Sequence, residues 1–125
     1  MQIPWSWIVL VLVILAVIIV KQRSQVSADD ARRLLAAGAA VIDVRSPSEY
    51  SSGHIPGVIN LPLDVLTEKI PAVVTDKSSP VFLHCQSGTR SAMAARKLRE
   101  MGYSQVFNLG SLGRARSLCQ DAGIK

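Results

Sequence analysis

The stretch Pro80-Val81-Phe82-Leu83-His84-Cys85-Gln86-Ser87-Gly88-Thr89-Arg90-Ser91 decides the fold. Val81 to His84 is a compact, mostly apolar run behind a proline, the pattern of a strand buried on both faces. Gln86 to Arg90 is a tight polar loop with one glycine. Ser91 to Met101 then reads as a helix, with Ala94, Leu98 and Met101 on one stripe, Arg96, Lys97 and Arg99 opposite, and Gly102 as its stop.

The alternation continues on both sides. Upstream, Ser27-Ala28-Asp29-Asp30 starts a helix with Ser27 as N-cap and acids in the first turn, and Gly38 ends it, so residues 28–37 are expected to be helical. Ala40-Val41-Ile42-Asp43-Val44 is a β-branched run broken by Ser46-Pro47-Ser48. Pro47 suits the first turn of a short helix through Tyr50, ended by Gly53. Val58-Ile59-Asn60-Leu61 is a second short strand stopped by Pro62. Asp64 is the expected cap of a helix over residues 65–70, with Pro71 forcing an end or a kink. Downstream, Val106-Phe107-Asn108-Leu109 is the last strand, and a short helix follows Gly110. Strands alternating with helices predict an α/β domain with a mainly parallel sheet flanked by helices, whose ligands bind beyond the carboxyl ends of the strands.

Cys85 stands at such an end, between a buried strand and a helix N-terminus. Converging backbone N–H groups and the helix dipole lower a thiol pKa from about 8.5 into the range of about 3.5–7.5, so no neighbouring base is needed. Gly88 permits positive φ and close backbone approach, Ser87 and Thr89 carry hydroxyl donors, and Arg90 offers a cation to an anionic substrate. With Gln86 these residues form an oxyanion-type cradle around the sulfur.

Successive strand side chains point to opposite faces, so His84 is a poor dyad partner for Cys85 and reads as a packed strand residue. His54, in the Gly53-His54-Ile55-Pro56 turn, reads as a structural hydrogen-bonding residue. Asp43 and Arg45 end the first strand on the active-site edge. Asp43 is expected to orient loop backbone, and Arg45 is either an ion-pair partner of the loop or part of a positive substrate rim. Glu49 is expected to pair with Arg45 or Arg90. Cys119 reads as an ordinary semi-buried thiol, since a resolving role would need proximity to Cys85. Two histidines and two scattered cysteines have no metal-ligand spacing, and neither metal nor cofactor is expected.

Residues 26–112 resemble a single rhodanese domain, of the thiosulfate:acceptor sulfurtransferase family. Val41-Ile42-Asp43-Val44-Arg45 with Glu49-Tyr50, followed by Gly53-His54-Ile55-Pro56-Gly57-Val58-Ile59-Asn60-Leu61-Pro62, is similar to the family's first signature, and Cys85 to Ser91 resembles its active-site loop. The resemblance implies that Cys85 takes a sulfane sulfur from a small sulfur-containing anion such as thiosulfate. The persulfide is held by the loop amides, and the sulfur passes to a thiol or cyanide acceptor with ping-pong kinetics. Phosphatase loops of similar kind have five residues between cysteine and arginine. Here there are four, Gln86 to Thr89, a tighter cradle suited to a sulfur-sized group. The chain departs from the family after its last strand, where many members carry a glycine pair and a tryptophan and this one has Asn108-Leu109-Gly110-Ser111-Leu112-Gly113.

The 125 residues are too few for several domains, but they divide into two parts. All 14 Lys/Arg and all 9 Asp/Glu fall after residue 20. Ile3 to Val20 has Ser6 as its only polar member and, as a helix, reaches roughly 27 Å, close to a bilayer core. Trp5 and Trp7 mark one end, and Lys21 and Arg23 the other. A cleaved secretory signal needs a basic start and a small-residue cleavage site, which Met1-Gln2 and Val20-Lys21 do not supply. The expectation is therefore a membrane anchor in residues 1–23 and a rhodanese-like domain in residues 24–125. Lys21, Arg23, Arg32 and Arg33 lie after the span, which directs the domain to the cytoplasm. The net charge of +5 does not indicate nucleic acid, because the basic residues flank the span or line one helix and aromatics make up only 5% of the chain. The reading is a single-pass membrane sulfurtransferase. The alternative is a membrane-bound persulfide carrier or interaction module with little turnover.

Overall fold

The computed structural model describes residues 2–23 and 26–124, and side chains for 2–20 and 26–124. The elements run α1 (Trp5–Arg23), α2 (Ala28–Ala36), β1 (Ala40–Asp43), α3 (Pro47–Ser52), β2 (Ile59–Asn60), α4 (Leu66–Val73), β3 (Val81–His84), α5 (Thr89–Glu100), β4 (Val106–Gly110) and α6 (Leu112–Asp121). The four strands form one parallel sheet in the order β2-β1-β3-β4, with Ala40 to Asp43 in register with Val81 to His84.

The period of two along the central strands divides the core into two layers. Ile42, Val44, Val81, Leu83 and Cys85 pack with Leu66 and Ile70 of α4 and with Ala94, Ala95 and Leu98 of α5. Val41, Phe82 and Leu109 pack on the other face with Ala31 and Leu35 of α2 and with Ala115, Leu118 and Cys119 of α6. Helices cover both faces, so β3 is buried at all four positions. The two cysteines consequently lie in different layers.

Several local expectations shift. Ser27 caps α2 as read, its hydroxyl accepting from the Asp30 amide. Ser46 caps α3 through a reciprocal pair with Glu49, with Pro47 in the first turn. Asp64 does not cap α4: a turn from Pro62 to Val65 delays the helix, Val65 takes the cap position, and it makes no side-chain cap bond. Pro71 does not end α4 but lies inside it, because only the bond its own nitrogen would donate is lost and the Val74 amide still closes onto Ile70 O at 2.9 Å. β2 is shorter than the Val58–Leu61 run, since the Val58 amide turns back to Ile55 O. α5 starts at Thr89 rather than Ser91, because Gly88, at φ +100°, turns the chain into the helix two residues early.

The apolar N-terminal stretch is helical, but Ile3 and Pro4 lie outside α1. From Trp5 to Val20 the uncharged helix reaches roughly 24 Å, below the hydrocarbon thickness of about 30 Å. Among the described residues, no helix is long and apolar enough to cross a membrane. This corrects the expectation of a full span over residues 3–20. The apolar side chains of α1 up to Val20 are nonetheless exposed, Trp5 at 83%.

Candidate active site

The site is built where β3 ends. The Cys85 amide continues the ladder onto Gly110 O at 3.2 Å, Gln86 O accepts from the Leu112 amide, and Ser87 bridges to Ser111. These bonds tie the loop to the β4–α6 connection and turn its amides inward. Gly88 is required twice over: its φ lies in the left-handed region, and a Cβ there would stand 3.3 Å from Gly110 Cα. No side chain caps α5, so its first N–H groups remain free for a ligand.

The Cys85 sulfur takes that place. Gly88 N donates to Sγ at 3.0 Å, and the Ser91 hydroxyl stands 3.5 Å away. Burial pushes the thiol up, but the Ser91 hydroxyl and the amides of Ser91, Gly88 and Ser87 outweigh it and hold Cys85 below the ordinary thiol range. Cys85 has no exposed surface, so a reactant reaches the sulfur only when the loop around it opens. On the far side of the sheet, burial pushes the Cys119 thiol up. Alkylation of the native full chain across pH, read by peptide mass, is therefore expected to label Cys85 with a midpoint below about 8.5 and to leave Cys119 unlabelled. Loop opening scales the rate and leaves the midpoint in place. A Cys85 midpoint at or above 8.5 would contradict the cradle.

The structure chooses among the roles that the sequence reading left open for the charged residues. Asp43 orients backbone at the end of its own strand, through the Arg45 amide. It is fully buried and chelated by Arg45, whose Nε and Nη2 reach its carboxylate at 2.8–3.1 Å and whose backbone amide donates to Oδ1 at 2.9 Å. Arg45 is an ion-pair partner and not a rim cation: it is buried, and its remaining donors hold Gly53 O at 2.8 Å and the Gln86 side chain at 3.3 Å. Glu49 pairs with Arg90, through contacts of 2.6 and 2.9 Å. Arg90 is thus no free cation, because its fork already grips a carboxylate. Neither the Ser87 nor the Thr89 hydroxyl bonds Sγ.

His84 is buried opposite Cys85, its Nδ1 3.2 Å from Cys85 O and its Nε2 3.7 Å from Asp43 Oδ2. Burial lowers its pKa against the opposing pull of Asp43, keeping the ring neutral. His54 stacks on Tyr50 with ring centroids 3.7 Å apart and contacts Tyr50 O at 2.8 Å. Among the described residues, no group of three or more metal-ligating side chains comes together.

The Arg90 ion pair, followed by the Ser46 amide, holds the Glu49 carboxyl at about 2, against 4.5 when free. Because the folded value is the lower one, the stability the pair adds is complete above about 4.5 and disappears as pH falls towards about 2. Glu49→Gln is expected to flatten that part of the thermal-midpoint-versus-pH curve. An unchanged acid limb would show the pair to be energetically silent.

Ser91 and Asn108 were not singled out as site residues. Both carry a sequence signal: Ser91 falls on the buried stripe of α5 with Ala94, Ala95 and Leu98, and Asn108 interrupts an otherwise apolar strand. Buried polar groups at such positions need partners, and these two are each other's, with Ser91 Oγ 2.7 Å from Asn108 Oδ1.

A parallel sheet covered on both faces, with a cysteine at the carboxyl end of a central strand inside a ring of amides, defines an anion-cradling thiol domain. The chain belongs to the rhodanese-like domain family, which it matches over residues 27–112. It is 44% identical over 71 residues to the thiosulfate sulfurtransferase PspE of Escherichia coli (strain K12), covering 57% of this chain and 68% of that one. It is 45% identical over 71 residues to the uncharacterized protein YqhL of Bacillus subtilis (strain 168), covering 57% and 55%. The match therefore spans little more than half of the YqhL chain. Among solved structures, a rhodanese with anions from E. coli superposes with a TM-score of 0.60 at 40% identity, over 62% of this chain and 91% of that one.

Proposed function

We propose that this chain is a sulfurtransferase that moves a sulfane sulfur from a donor such as thiosulfate to a thiol or cyanide through a persulfide on Cys85. The observation that carries this reading is the set of donors around Sγ: the Gly88 amide at 3.0 Å, the Ser91 hydroxyl, and no acceptor. In the first half-reaction the Cys85 thiolate attacks the outer sulfur of thiosulfate. The new S–S bond forms as the old one breaks, and sulfite leaves with the electron pair. The acceptor then attacks the outer sulfur and returns the pair to Sγ. Membership of the family and the sulfurtransferase named among the relatives support the same chemistry. Incubating the full chain with thiosulfate, with mass spectrometry before and cyanide after, tests it: a gain of one sulfur atom on Cys85 and catalytic thiocyanate are expected. No sulfur gain from any donor overturns the proposal.

The carrier reading is favoured by one observation. Arg90 is gripped by Glu49, which leaves little cationic attraction for a free donor dianion. A carrier would accept sulfur from a protein persulfide and load poorly from thiosulfate.

We also propose that α1 holds the domain at a membrane, with the domain on the cytoplasmic side. The exposed apolar side chains from Trp5 to Val20 support association with a bilayer, and the basic residues after them support the orientation. Recovery in the membrane fraction after a high-salt wash, with the domain protease-sensitive only from the cytoplasmic side, is expected. Recovery in the soluble fraction would refute it.

A further inference from the structure

The proposal concerns Ser91, whose hydroxyl alone among the described residues stands within hydrogen-bond distance of Sγ. Ser91 Oγ has a single proton and three acceptors within reach: Asn108 Oδ1 at 2.7 Å, Gly88 O at 3.1 Å and Cys85 Sγ at 3.5 Å. The Asn108 side chain is not free to turn. Its Oδ1 accepts from the Gly110 amide at 2.8 Å and its Nδ2 donates to Gly88 O at 3.3 Å, so the oxygen is the atom presented to Ser91. Ser91 is 0% exposed and Asn108 2%, so water does not compete.

This network has two complete settings. With no negative charge on Sγ, the shortest contact keeps the proton on Asn108 Oδ1. With a thiolate, the hydroxyl rotates and donates to Sγ. Asn108 Oδ1 then still holds the Gly110 amide, and Gly88 O still holds Asn108 Nδ2. No buried acceptor is orphaned by the change, which removes the usual penalty of moving a buried proton.

We propose that Ser91 is a catalytic hydroxyl for the sulfur-releasing half-reaction, and that Asn108 is a positioning residue that holds its proton between turnovers. This rests on the persulfide reading above. In the persulfide, Sγ is bonded and neutral. An acceptor thiolate attacks the outer sulfur, a new S–S bond forms to the acceptor, the Sγ–S bond breaks, and its electron pair returns to Sγ as thiolate. Negative charge thus appears on Sγ only as sulfur leaves, and the Ser91 proton meets it there. In loading, charge moves away from Sγ, so the same hydrogen bond gives no help once the thiolate has formed.

The test separates the two half-reactions in single-turnover measurements on the full chain. Thiosulfate loads the sulfur at about pH 9.5, where an ordinary thiol is already ionised, and a thiol acceptor then discharges it. Ser91→Ala is expected to load at close to the wild-type rate and to discharge roughly ten- to a hundredfold more slowly, the worth of one hydrogen bond to a charged acceptor. Its Cys85 alkylation midpoint is expected to rise. Ser91→Thr, which keeps the hydroxyl, is expected to restore discharge relative to alanine. Loading itself reports that the variant is folded. Equal slowing of both half-reactions, or discharge at the wild-type rate, overturns the proposal. If the wild-type chain takes up no sulfur from thiosulfate or from a protein persulfide, the persulfide reading fails instead. The alkylation midpoint still decides whether Ser91 donates to Sγ, and an unmoved midpoint overturns that part.

Discussion

Cys85→Ala is expected to lower sulfur uptake and thiocyanate formation by at least about a thousandfold, because the atom that forms the new bond is gone and nothing nearby replaces it. Cys119 cannot substitute: it sits in the α2/α6 layer, across the sheet, and burial keeps it protonated. Cys119→Ala is therefore expected to retain uptake. The alanine at position 85 leaves a slightly smaller side chain in the α4/α5 layer, so the variant should remain folded and still bind anions weakly through the loop amides. Mass spectrometry after thiosulfate treatment and a thiocyanate assay read both variants. Uptake that survives in Cys85→Ala would move the chemistry elsewhere in the chain.

Phe82→Ala is expected to cost about 3–5 kcal/mol, a large share of the roughly 5–15 kcal/mol by which domains of this size are stable. Phe82 is fully buried at the centre of the α2/α6 layer, on the central strand β3, with its ring centroid 5.2 Å from that of Phe107 at a tilt of 32°. Strand pairs on both sides fix the backbone beneath it, so the cavity cannot collapse. Phe107 is only partly buried, and Phe107→Ala should cost less. Denaturant unfolding measures both. Trp5 and Trp7 lie in α1, so the domain's transition is followed by amide circular dichroism or tyrosine emission. A loss below about 1 kcal/mol for Phe82→Ala would mean that this layer does not hold the sheet together.

Much of this architecture is written in short-range patterns. The runs around Ile42, Leu83 and Phe107 announce buried strands because helices on both faces require apolar side chains at consecutive positions. Ser27 and Pro47 mark helix starts because capping chemistry is local. Where the reading slipped, a competing local interaction decided the outcome, as with the turn that displaced Asp64 from the cap of α4. The nucleophile and its loop were legible because a cysteine between a strand and a glycine-bearing turn has few other uses. The partners of the charged residues were not. Arg45 could reach toward loop, rim or Glu49, and only the packing of β1 against β3 shows it closing on Asp43. Arg90 was read both as an anchor for an anionic substrate and as one of two partners open to Glu49, and the pattern of residues 41 positions apart could not choose between them. A separation of 17 positions hid the bond between Ser91 and Asn108 in the same way.

Arg114 spans two backbone oxygens, Leu109 O at 2.8 Å and Val26 O at 2.6 Å. The first belongs to the strand whose next residue, Gly110, receives the Cys85 amide; the second lies three positions beyond the last residue of α1. The start of the domain at Val26 is consequently fastened, through one guanidinium, to the strand end that holds Cys85.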